Sequence, residues 1–524
     1  MFKRRKNKLV LTASILMGAL LVTACGSDST GNSGSGSTNL PTELVVAQRA
    51  IPVSLDPHAS NDSPSAIVNG QIYETLVYQD EELQLHPSLA ESWTSIDELT
   101  YEFKIRENVY FHNEEELKAS DVAFTLLRAL ESSHVSHIVG QINPDSIEVM
   151  DDYTIRVATL EPYAPFLAHL AHPATSILNE TAVTEAEDAG IVYGTGAEVV
   201  GTGPWVFDDW SVRDTVRLVR NEDYHGEKAK LERLTMRSVQ EASSRTLELE
   251  TNTVQIALEI IPADVERVQN EPDLSLIKQQ ELRTNYLGFN TEIAPFNDER
   301  VRQAINYAID VDTIIETAFE GVGTAAIGPI SPNVNGVNPD LEGYPYDIER
   351  ARELLAEAGY ANGLDREVEI WTDTDATRIS IATIIRNQLE QLGIDASINQ
   401  MEWGAYLDAT AEGQHDMFLL GWTTVTGDAD YGLYSLFHSS EFGAGGNRTF
   451  YANSRVDELL DLARATADDD EREAYYHEVQ ELILEEAPWV PINVSESTIG
   501  LQNNVKGFVA NPNNHHKFSQ VYFE

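Results

Sequence analysis

The first half of the chain alternates apolar and polar residues with a period of two. The alternation is clear at residues 101–105, 154–157 and 215–219, and residues 43–47 form another apolar segment of strand length. Successive side chains of a β-strand point to opposite faces, so this pattern is typical of strands with one buried face. We therefore predict a mixed region that is rich in strand as far as about residue 283.

A predicted helix interrupts these strands and begins near Ser120 and Asp121. Both residue types favour helix starts because their side chains accept hydrogen bonds from free backbone N–H groups. The apolar positions that follow include Val122, Phe124, Leu127 and Leu130. We expect this apolar side of the helix to pack on the strands.

The second half of the chain changes to a helical period. Apolar residues recur at spacings of three and four, which places them on one face of a helix. One face comprises Val301, Ala304, Ile305, Ala308 and Ile309, and a second comprises Ile348, Ala351, Leu354, Leu355 and Ala358. Gly359 follows the second face and is predicted to cap that helix.

Residues 367–421 then alternate between strand and helix patterns. Strands are predicted at 367–371, 394–399 and 417–421, with helices at 376–392 and 402–411 between them. Strands that are joined through helices are parallel and connected by right-handed crossovers. This part of the chain is therefore predicted to have an α/β fold with a parallel sheet.

Three loops leave the carboxyl ends of these predicted strands, at 372–378, 400–403 and 422–431. Ligands of open parallel sheets bind outside the carboxyl ends of the strands. Acidic residues, a cation and large aromatic residues gather in these loops: Asp373, Asp375, Arg378, Glu402, Trp403, Trp422, Asp428, Asp430 and Tyr431. We predict a ligand site at this edge. The alternative for the two later aspartates is that they cap a helix beginning near Tyr431.

The amino-terminal residues have the pattern of a lipoprotein signal peptide. A basic patch at 3–8 precedes an apolar run at 9–22, which is too short to span a bilayer stably. Small residues then precede Cys25, the only cysteine of the sequence. We predict that residues 1–24 are removed and that Cys25 carries a lipid anchor. The alternative is an ordinary signal peptide with an incidental cysteine.

A tether is predicted after the anchor, at residues 25–41. Glycine, serine, asparagine and threonine dominate the segment from 26 to 39, which is the composition of a flexible linker. No later segment is apolar enough to cross a membrane. The folded part is therefore expected outside the cytoplasmic membrane and held to it by lipid.

The charge of the chain excludes one class of partner. The sequence has 85 acidic and 35 basic residues and a net charge of −50. Nucleic-acid binding requires a basic face, so we exclude nucleic acid. The acidic residues are spread along the chain, which is typical of a solvated acidic surface.

The sequence lacks the common catalytic and cofactor motifs. It contains no G-x-S-x-G, H-E-x-x-H, G-x-x-x-x-G-K-[ST] or C-x-x-C. The pairs His134/His137 and His169/His172 have a spacing that some metal ligands use, but no third ligand follows at an obvious spacing. We predict a binding protein rather than an enzyme, with no metal and no cofactor.

Ten segments resemble, in order, the motifs of the peptide/nickel family of transporter solute-binding proteins. They are LDP at 55–57, IYETLV at 72–77, LAESW at 89–93, GTGPW at 201–205, NEDY at 221–224, NYLGFNT at 285–291, PFNDERVRQAINYAID at 295–310, YDIERARELLAEAGY at 346–360, GWTTVTGDADYG at 421–432 and EEAPWVPI at 485–492. The resemblance covers essentially all of residues 42–524.

This resemblance implies a fold and its division into domains. The family has a two-lobed α/β fold that closes on its ligand like a flytrap, with an extra subdomain inserted in lobe one. The implied parts are lobe one at 42–283 plus 494–524, its extra subdomain at 77–196, lobe two at 284–493, and hinge strands near 283–284 and 491–493. The ligand would lie between the two lobes.

One position departs from the family pattern and bears on the ligand. Dipeptide- and oligopeptide-binding members usually have an aspartate three residues after the loop tryptophan, where it pairs with the free amine of the peptide. Here that position is Val425. The segments SNDSPS at 60–65, LAHPAT at 170–175 and TGDAD at 426–430 are more similar to the glutathione-binding branch.

The resemblance implies an extracytoplasmic receptor of an ABC importer. It would capture a short peptide or a glutathione-like tripeptide and deliver it to a membrane permease driven by an ATPase, acting as a monomer. The expected ligand-binding residues are Asn61, Asp62, Arg378, Trp403, Trp422, Asp428, Asp430 and Tyr431. The alternatives are a nickel-chelate receptor of the same family and, from another class, a secreted hydrolase.

Overall fold

A computed structural model describes residues 41–524, apart from 51, 61, 133, 212–213, 444–445 and 467. Residues 41–524 form one compact unit. The predicted signal peptide, the lipid anchor at Cys25 and almost the whole of the predicted tether lie outside the described residues.

Strands and helices alternate along the described residues. The strands are β1 (Glu43–Gln48), β2 (Val77–Gln79), β3 (Leu85–Pro87), β4 (Ala90–Ser95), β5 (Thr100–Ile105), β6 (Glu148–Asp151), β7 (Thr154–Ala158), β8 (Trp205–Ser211), β9 (Thr215–Arg220), β10 (Arg233–Ser238), β11 (Ile256–Ala257), β12 (Leu274–Phe289), β13 (Thr324–Ala325), β14 (Val368–Thr372), β15 (Ala396–Gln400), β16 (Met417–Thr423), β17 (Trp489–Gln502), β18 (Val505–Lys506) and β19 (Tyr522–Phe523). The α-helices are α1 (Ser63–Ile72), α2 (Ala119–Glu131), α3 (Ser136–Val139), α4 (Phe166–His169), α5 (Glu180–Asp188), α6 (Ala242–Glu250), α7 (Pro262–Asn270), α8 (Glu299–Ala308), α9 (Val311–Ala318), α10 (Ile348–Glu357), α11 (Ala376–Leu389), α12 (Trp403–Ala411), α13 (Ala429–Phe437), α14 (Ser454–Ala465) and α15 (Asp469–Glu486).

One large sheet runs through the molecule. Its strand order is β15-β14-β16-β12-β17-β11-β1-β10-β9-β8, and β13 pairs with β17 beside this path. The two central strands are long: β12 has 16 residues and β17 has 14. They pair antiparallel to each other and join a first half of the sheet (β11, β1, β10, β9, β8) to a second half (β16, β14, β15).

The pairing of the two long strands is irregular in the middle. The register between β12 and β17 shifts between Gln280 and Thr284 and again between Asn285 and Tyr286. Such irregularities bend and twist a strand locally. They coincide with the part of the sequence, near residues 283–284, where the hinge is predicted.

The predicted parallel pairing of strands in the second half is confirmed. β14 pairs in parallel with both β15 and β16, and α11 and α12 form the two connections. Gly359, the predicted cap, follows α10, and Gly393 follows α11. Gly359 and Gly393 have φ angles of +97° and +72°, a conformation that a residue with a side chain adopts at a cost.

A separate four-stranded sheet, of order β4-β5-β7-β6, carries its own core. Its buried side chains include Phe103, Ile105, Ile155 and Val157, which belong to the strands with the alternating pattern. Helix α2 packs on this core. Its existence is confirmed, but one predicted apolar position is wrong, because Leu127 is 42% exposed while Leu126 is fully buried.

Each half of the large sheet has further cores of its own. In the second half, Val301, Ala304 and Ile305 of α8 and Ala351 and Leu354 of α10 are buried in one cluster against the sheet, as their spacing predicts. A further cluster covers the other face of this half. It consists mainly of residues from α13, α14 and α15 together with the sheet.

Candidate functional site

The three predicted loops leave neighbouring strands at one edge of the sheet. They follow the carboxyl ends of β14, β15 and β16, which are adjacent in the sheet. A backbone hydrogen bond of 3.1 Å from Met401 N to Thr372 O joins two of these loops. The edge is therefore formed as the sequence predicts.

Arg378 lies in the first turn of α11, directly beyond the end of β14. Its Nη1 donates to Asp373 Oδ2 at 2.6 Å, and both side chains are largely buried. Asp375 is the N-cap of this helix and accepts a hydrogen bond from Arg378 N at 2.9 Å. One guanidinium and two carboxylates thus form a small charged group at the edge.

Trp422 and Tyr431 form an aromatic pair at the end of β16. Their rings are 5.3 Å apart with an interplanar angle of 32°, and Trp422 Nε1 donates to Tyr431 O at 3.1 Å. Burial raises the pKa of Tyr431 to about 12, so its hydroxyl stays protonated at neutral pH. Both side chains are partly exposed and offer apolar ring surface at the end of β16, the strand next to β14.

Asp428 is the N-cap of α13 and also forms an ion pair. Its Oδ1 accepts from Asp430 N at 2.9 Å, and it contacts Arg472 Nη2 of α15. The capping role is the alternative that the sequence left open for this residue. Burial lowers the pKa of Arg472, but attraction to Asp428 outweighs that effect and the pKa is raised overall.

Asp430 is held by a second arginine through two hydrogen bonds. Arg464 Nε and Nη2 lie 2.7 Å and 3.0 Å from the two carboxylate oxygens of Asp430, which is 1% exposed. The guanidinium of Arg464 also lies over the Tyr434 ring, 3.1 Å from its centre. A ligand cation at either aspartate would have to compete with a guanidinium that is already bound.

Tyr163 and Ala164, which follow the four-stranded sheet in the chain, contact Asp430 of α13 and its partner Arg464. The hydroxyl of Tyr163 lies 3.5 Å from Asp430 Oδ2 and 2.7 Å from His169 Nε2. Ala164 N donates to Arg464 O at 2.8 Å. Burial lowers the pKa of His169, so its ring is neutral at pH 7.

A hairpin tip reaches the same loop from the other side. Leu83, in the turn between β2 and β3, is 3% exposed and packs in the cluster of α13, α14 and α15. Gln79 Nε2 donates to Thr426 O at 2.9 Å. The loop between β16 and α13 is therefore a seam between the second half of the sheet and residues 77–196.

The remaining predicted site residues lie apart from this edge or outside the described structure. Asp62 caps α1 and accepts hydrogen bonds from Ser65 N at 3.0 Å and Ser65 Oγ at 2.7 Å. Asn61 lies outside the described residues. Trp403 is the first residue of α12, and its side chain is outside the described part of the structure.

Sequence reasoning missed the partners of the two aspartates. Arg464 and Arg472 lie on α14 and α15, 34 and 44 residues after their carboxylates. Tyr163 and Leu83 come from still more distant segments. No spacing or local motif marks any of these four residues as part of the edge, since only the tertiary fold brings them there.

The described residues contain neither a metal-binding cluster nor a membrane-spanning helix. No group of three or more His, Cys, Asp or Glu side chains within residues 41–524, as far as these are described, is arranged to hold a metal ion. In the same residues no helix has the length and apolar character needed to cross a bilayer.

The fold and the sequence identify the family. The family model for bacterial extracellular solute-binding proteins, family 5 Middle, matches residues 84–444, which is more than half of the chain. The chain belongs to this family of extracellular solute-binding proteins. The resemblance to the peptide/nickel group of transporter solute-binding proteins is thereby confirmed.

Relatives of known name cover nearly the whole chain. Heme-binding protein A of Haemophilus influenzae is 32% identical over 96% of this chain and 97% of its own length. Glutathione-binding protein GsiB of Escherichia coli O1:K1 / APEC is 32% identical over 91% and 94%, respectively.

A solved structure supports the same fold. It is the ABC transporter-associated periplasmic binding protein DppA from Helicobacter pylori, in complex with the peptide STSA. Its TM-score is 0.78 at 33% identity, and the match covers 93% of this chain and 98% of that one. The predicted two-lobed α/β fold is thus confirmed.

Proposed function

We propose that this chain is the receptor of an ABC importer that takes up short peptides, including glutathione-like tripeptides. The observation that carries the proposal is the position of the loop between β16 and α13. It follows the carboxyl end of a parallel strand, and Leu83 and Gln79 contact it from the other side of the seam. Ligands of two-lobed binding proteins are enclosed where the lobes meet. The peptide bound to DppA and the glutathione-binding protein GsiB among the relatives add support.

Three side chains of this edge are the proposed direct contacts. Arg378 would bind a carboxylate of the peptide, because a guanidinium presents a planar fork that matches a carboxylate. Trp422 and Tyr431 would cover apolar parts of the ligand with ring surface. Their contacts are insensitive to sequence, which suits a receptor for several peptides.

Asp428 and Asp430 have a supporting role in this proposal. Each carboxylate already has an arginine partner, and Asp428 also caps α13. They would fix the start of α13 and with it the position of Tyr431. Asp62 would act in a similar way on the other side, through the start of α1. Asn61 and Trp403 remain proposed ligand contacts on the strength of the family resemblance alone.

The domain boundaries of the family complete the proposal. Lobe one would comprise 42–283 and 494–524, with the extra subdomain at 77–196, and lobe two would comprise 284–493. β12 and β17 cross between the lobes, and their irregular pairing would serve as the hinge. Closure would exchange water around the ligand for the rings and charges of the edge.

The location of the receptor follows from the amino-terminal sequence. We propose that Cys25 is acylated and holds the folded part to the outer face of the cytoplasmic membrane, beside the permease. A Cys25→Ala variant should be released in soluble form with unchanged ligand affinity, as judged by fractionation followed by calorimetry. Retention of this variant on membranes after a high-salt wash would contradict the lipid anchor.

Mass spectrometry of what co-purifies with the native chain tests the ligand class. A peptide or glutathione is the expected result, and a haem or nickel chelate would overturn the proposal. Incubation with labelled peptides tests the alternative of a secreted hydrolase. A receptor returns the peptide intact, and fragments would show hydrolysis.

A further inference from the structure

Arg283 is a partly buried arginine on one of the two long strands of the large sheet, and no described carboxylate forms an ion pair with it. It lies on β12, opposite Thr423 of β16. Its Nε donates to Asn285 Oδ1 at 3.1 Å. No carboxylate of the described residues lies within ion-pair distance of its guanidinium. A charge in such surroundings is costly unless an anion compensates it.

The neighbouring carboxylate of Glu281 does not fill this role. Its Oε1 accepts a hydrogen bond from Asn514 Nδ2 at 3.2 Å, on the side of lobe one. Burial raises the pKa of Glu281, and the hydrogen bond from Asn514 and the charge of Arg283 offset this only in part. The side chain of Glu281 is thus hydrogen-bonded to Asn514 and does not form an ion pair with Arg283.

The fold provides space for the guanidinium on the surface of the sheet. Gly421 of β16 is paired with Asn285, and a Cβ at Gly421 would lie 2.6 Å from Arg283 Nη2 and 2.3 Å from Asn285 Oδ1. Any other residue at this position would push the guanidinium away. Asn285 is itself fixed, because its Nδ2 donates to Asn493 Oδ1 at 3.1 Å and to Ser495 Oγ at 3.0 Å.

The second cation of the region is Arg378 at the end of β14. Burial lowers the pKa of Arg283, and the positive charge of Arg378 lowers it further. Arg378 has Asp373 as a partner. Arg378 follows the end of β14, and Arg283 lies opposite the end of β16, which is the neighbour of β14 in the sheet. Two cations at this edge favour a ligand with more than one negative charge.

We propose that Arg283 binds a second carboxylate of the ligand, so that the preferred solutes are peptides with two carboxylates. This inference rests on the proposed function, in which Arg378 takes the first carboxylate. The ligand class comprises γ-glutamyl tripeptides, whose first residue keeps a free α-carboxylate, and peptides with an acidic side chain. Asn285 and Gly421 act as positioning residues for the guanidinium.

Calorimetry with matched peptide pairs tests the proposal. Ala-Glu-Ala and Ala-Gln-Ala differ by one carboxylate, as do glutathione and 4-aminobutyryl-Cys-Gly, which lacks only the α-carboxylate of the first residue. The wild type should prefer the dicarboxylate of each pair by about tenfold to a hundredfold, which is the usual range for a hydrogen-bonded charged group. Arg283→Gln should lose this preference and keep its affinity for Ala-Gln-Ala.

Two further variants control the test. Arg217→Gln removes an exposed arginine of β9 that pairs with Asp209, and it should keep the preference. Gly421→Ala keeps the charge of Arg283 but displaces it, so it should weaken the preference in part. A melting curve for each variant checks the fold. If Arg283→Gln is unstable, the dicarboxylate preference of Gly421→Ala tests the proposal in its place.

The outcomes separate this inference from the proposed function. If none of the four peptides binds the wild type, the proposed function fails. If the wild type binds both members of each pair equally, or if Arg283→Gln lowers both affinities equally, the second carboxylate site is overturned while peptide binding stands.

Discussion

Asp430 is the least exposed carboxylate of the candidate site, and its two hydrogen bonds to Arg464 predict a structural effect on mutation. Asp430→Asn leaves the guanidinium of Arg464 buried without its counter-charge. Breaking one side of such a pair costs roughly 3–5 kcal/mol of unfolding free energy. Urea denaturation should therefore show a large loss of stability, with a smaller effect on ligand affinity.

A control for this prediction is Glu458→Gln, which removes one partner of the exposed pair with Arg455. Its stability should match that of the wild type, because solvent screens exposed pairs. If Asp430→Asn instead keeps normal stability and binds the ligand about a hundredfold more weakly, that result would show that Asp430 pairs with a ligand amine.

Val425 gives a second prediction at the residue scale. It is half-buried in the loop after β16, and its backbone N donates to Thr423 O at 2.9 Å. Val425→Asp restores the aspartate that the family resemblance implies at this position for peptide-binding members. Dipeptide affinity should rise by about tenfold relative to glutathione, as measured by calorimetry. An equal gain in Val425→Asn would show that charge is not the cause.

The hairpin of β2 and β3 carries a prediction at the scale of the element. Leu83 at its tip packs into the cluster of α13, α14 and α15 across the seam. If the lobes separate without ligand, this contact exists only in the closed form. Leu83→Ala should therefore lower ligand affinity by about tenfold or more, since burying a leucine contributes about 1.5–3 kcal/mol.

The same hairpin supplies the matched control. Leu85 of β3 packs against the core of the four-stranded sheet, on the same side of the seam as the hairpin itself. Leu85→Ala should lower the melting temperature and leave affinity unchanged. Calorimetry and melting curves on both variants would contradict the closure role of Leu83 if the two behaved alike.

Elements of the second half could be predicted from the sequence because their signals are local. The β-α-β-α-β order, the buried faces of α8 and α10 and the glycine caps depend on spacings within a few residues. At α2 the same reasoning chose Leu127 in place of its buried neighbour Leu126, because both are apolar and only the packing distinguishes them.

The candidate site could be predicted only in part. Its location followed from the rule that ligands bind at the carboxyl ends of parallel strands. The partners Arg464 and Arg472 could not be predicted, because each comes from a helix that follows the loop by dozens of residues. Arg283 lies in a segment with the strand pattern. A charged residue in such a segment is normally interpreted as solvent-exposed, so nothing in the sequence marks Arg283 as part of the site.

At the scale of the whole molecule, the candidate site differs in charge from the rest of the chain. The sequence carries a net charge of −50, yet two arginines lie at the candidate site, Arg283 opposite the end of β16 and Arg378 beyond the end of β14. An acidic surface repels anionic solutes at long range, and salt screens this repulsion within about 10 Å at 0.1 M. Capture of a dicarboxylate should therefore depend on local contacts rather than on long-range steering.

Buried histidines predict how the stability of the whole molecule depends on pH. Burial lowers the pKa of His58, His415 and His516 from 6.5 to about 4, and each is at most 4% exposed. The folded state thus keeps them neutral while the unfolded chain protonates them near pH 6.5. Stability should fall as pH drops from 6.5 to about 4, by up to roughly 3 kcal/mol for each histidine.

Urea denaturation at several pH values between 7.5 and 4.5 measures this loss, and a single variant can assign part of it. His516 Nδ1 accepts a hydrogen bond from Asn511 N at 3.1 Å. His516→Asn keeps an acceptor oxygen there but cannot be protonated in this range, so its stability should depend less steeply on pH than that of the wild type. Equal slopes for the two proteins would show that His516 does not contribute, and a constant stability down to pH 5 would contradict the effect of all three histidines.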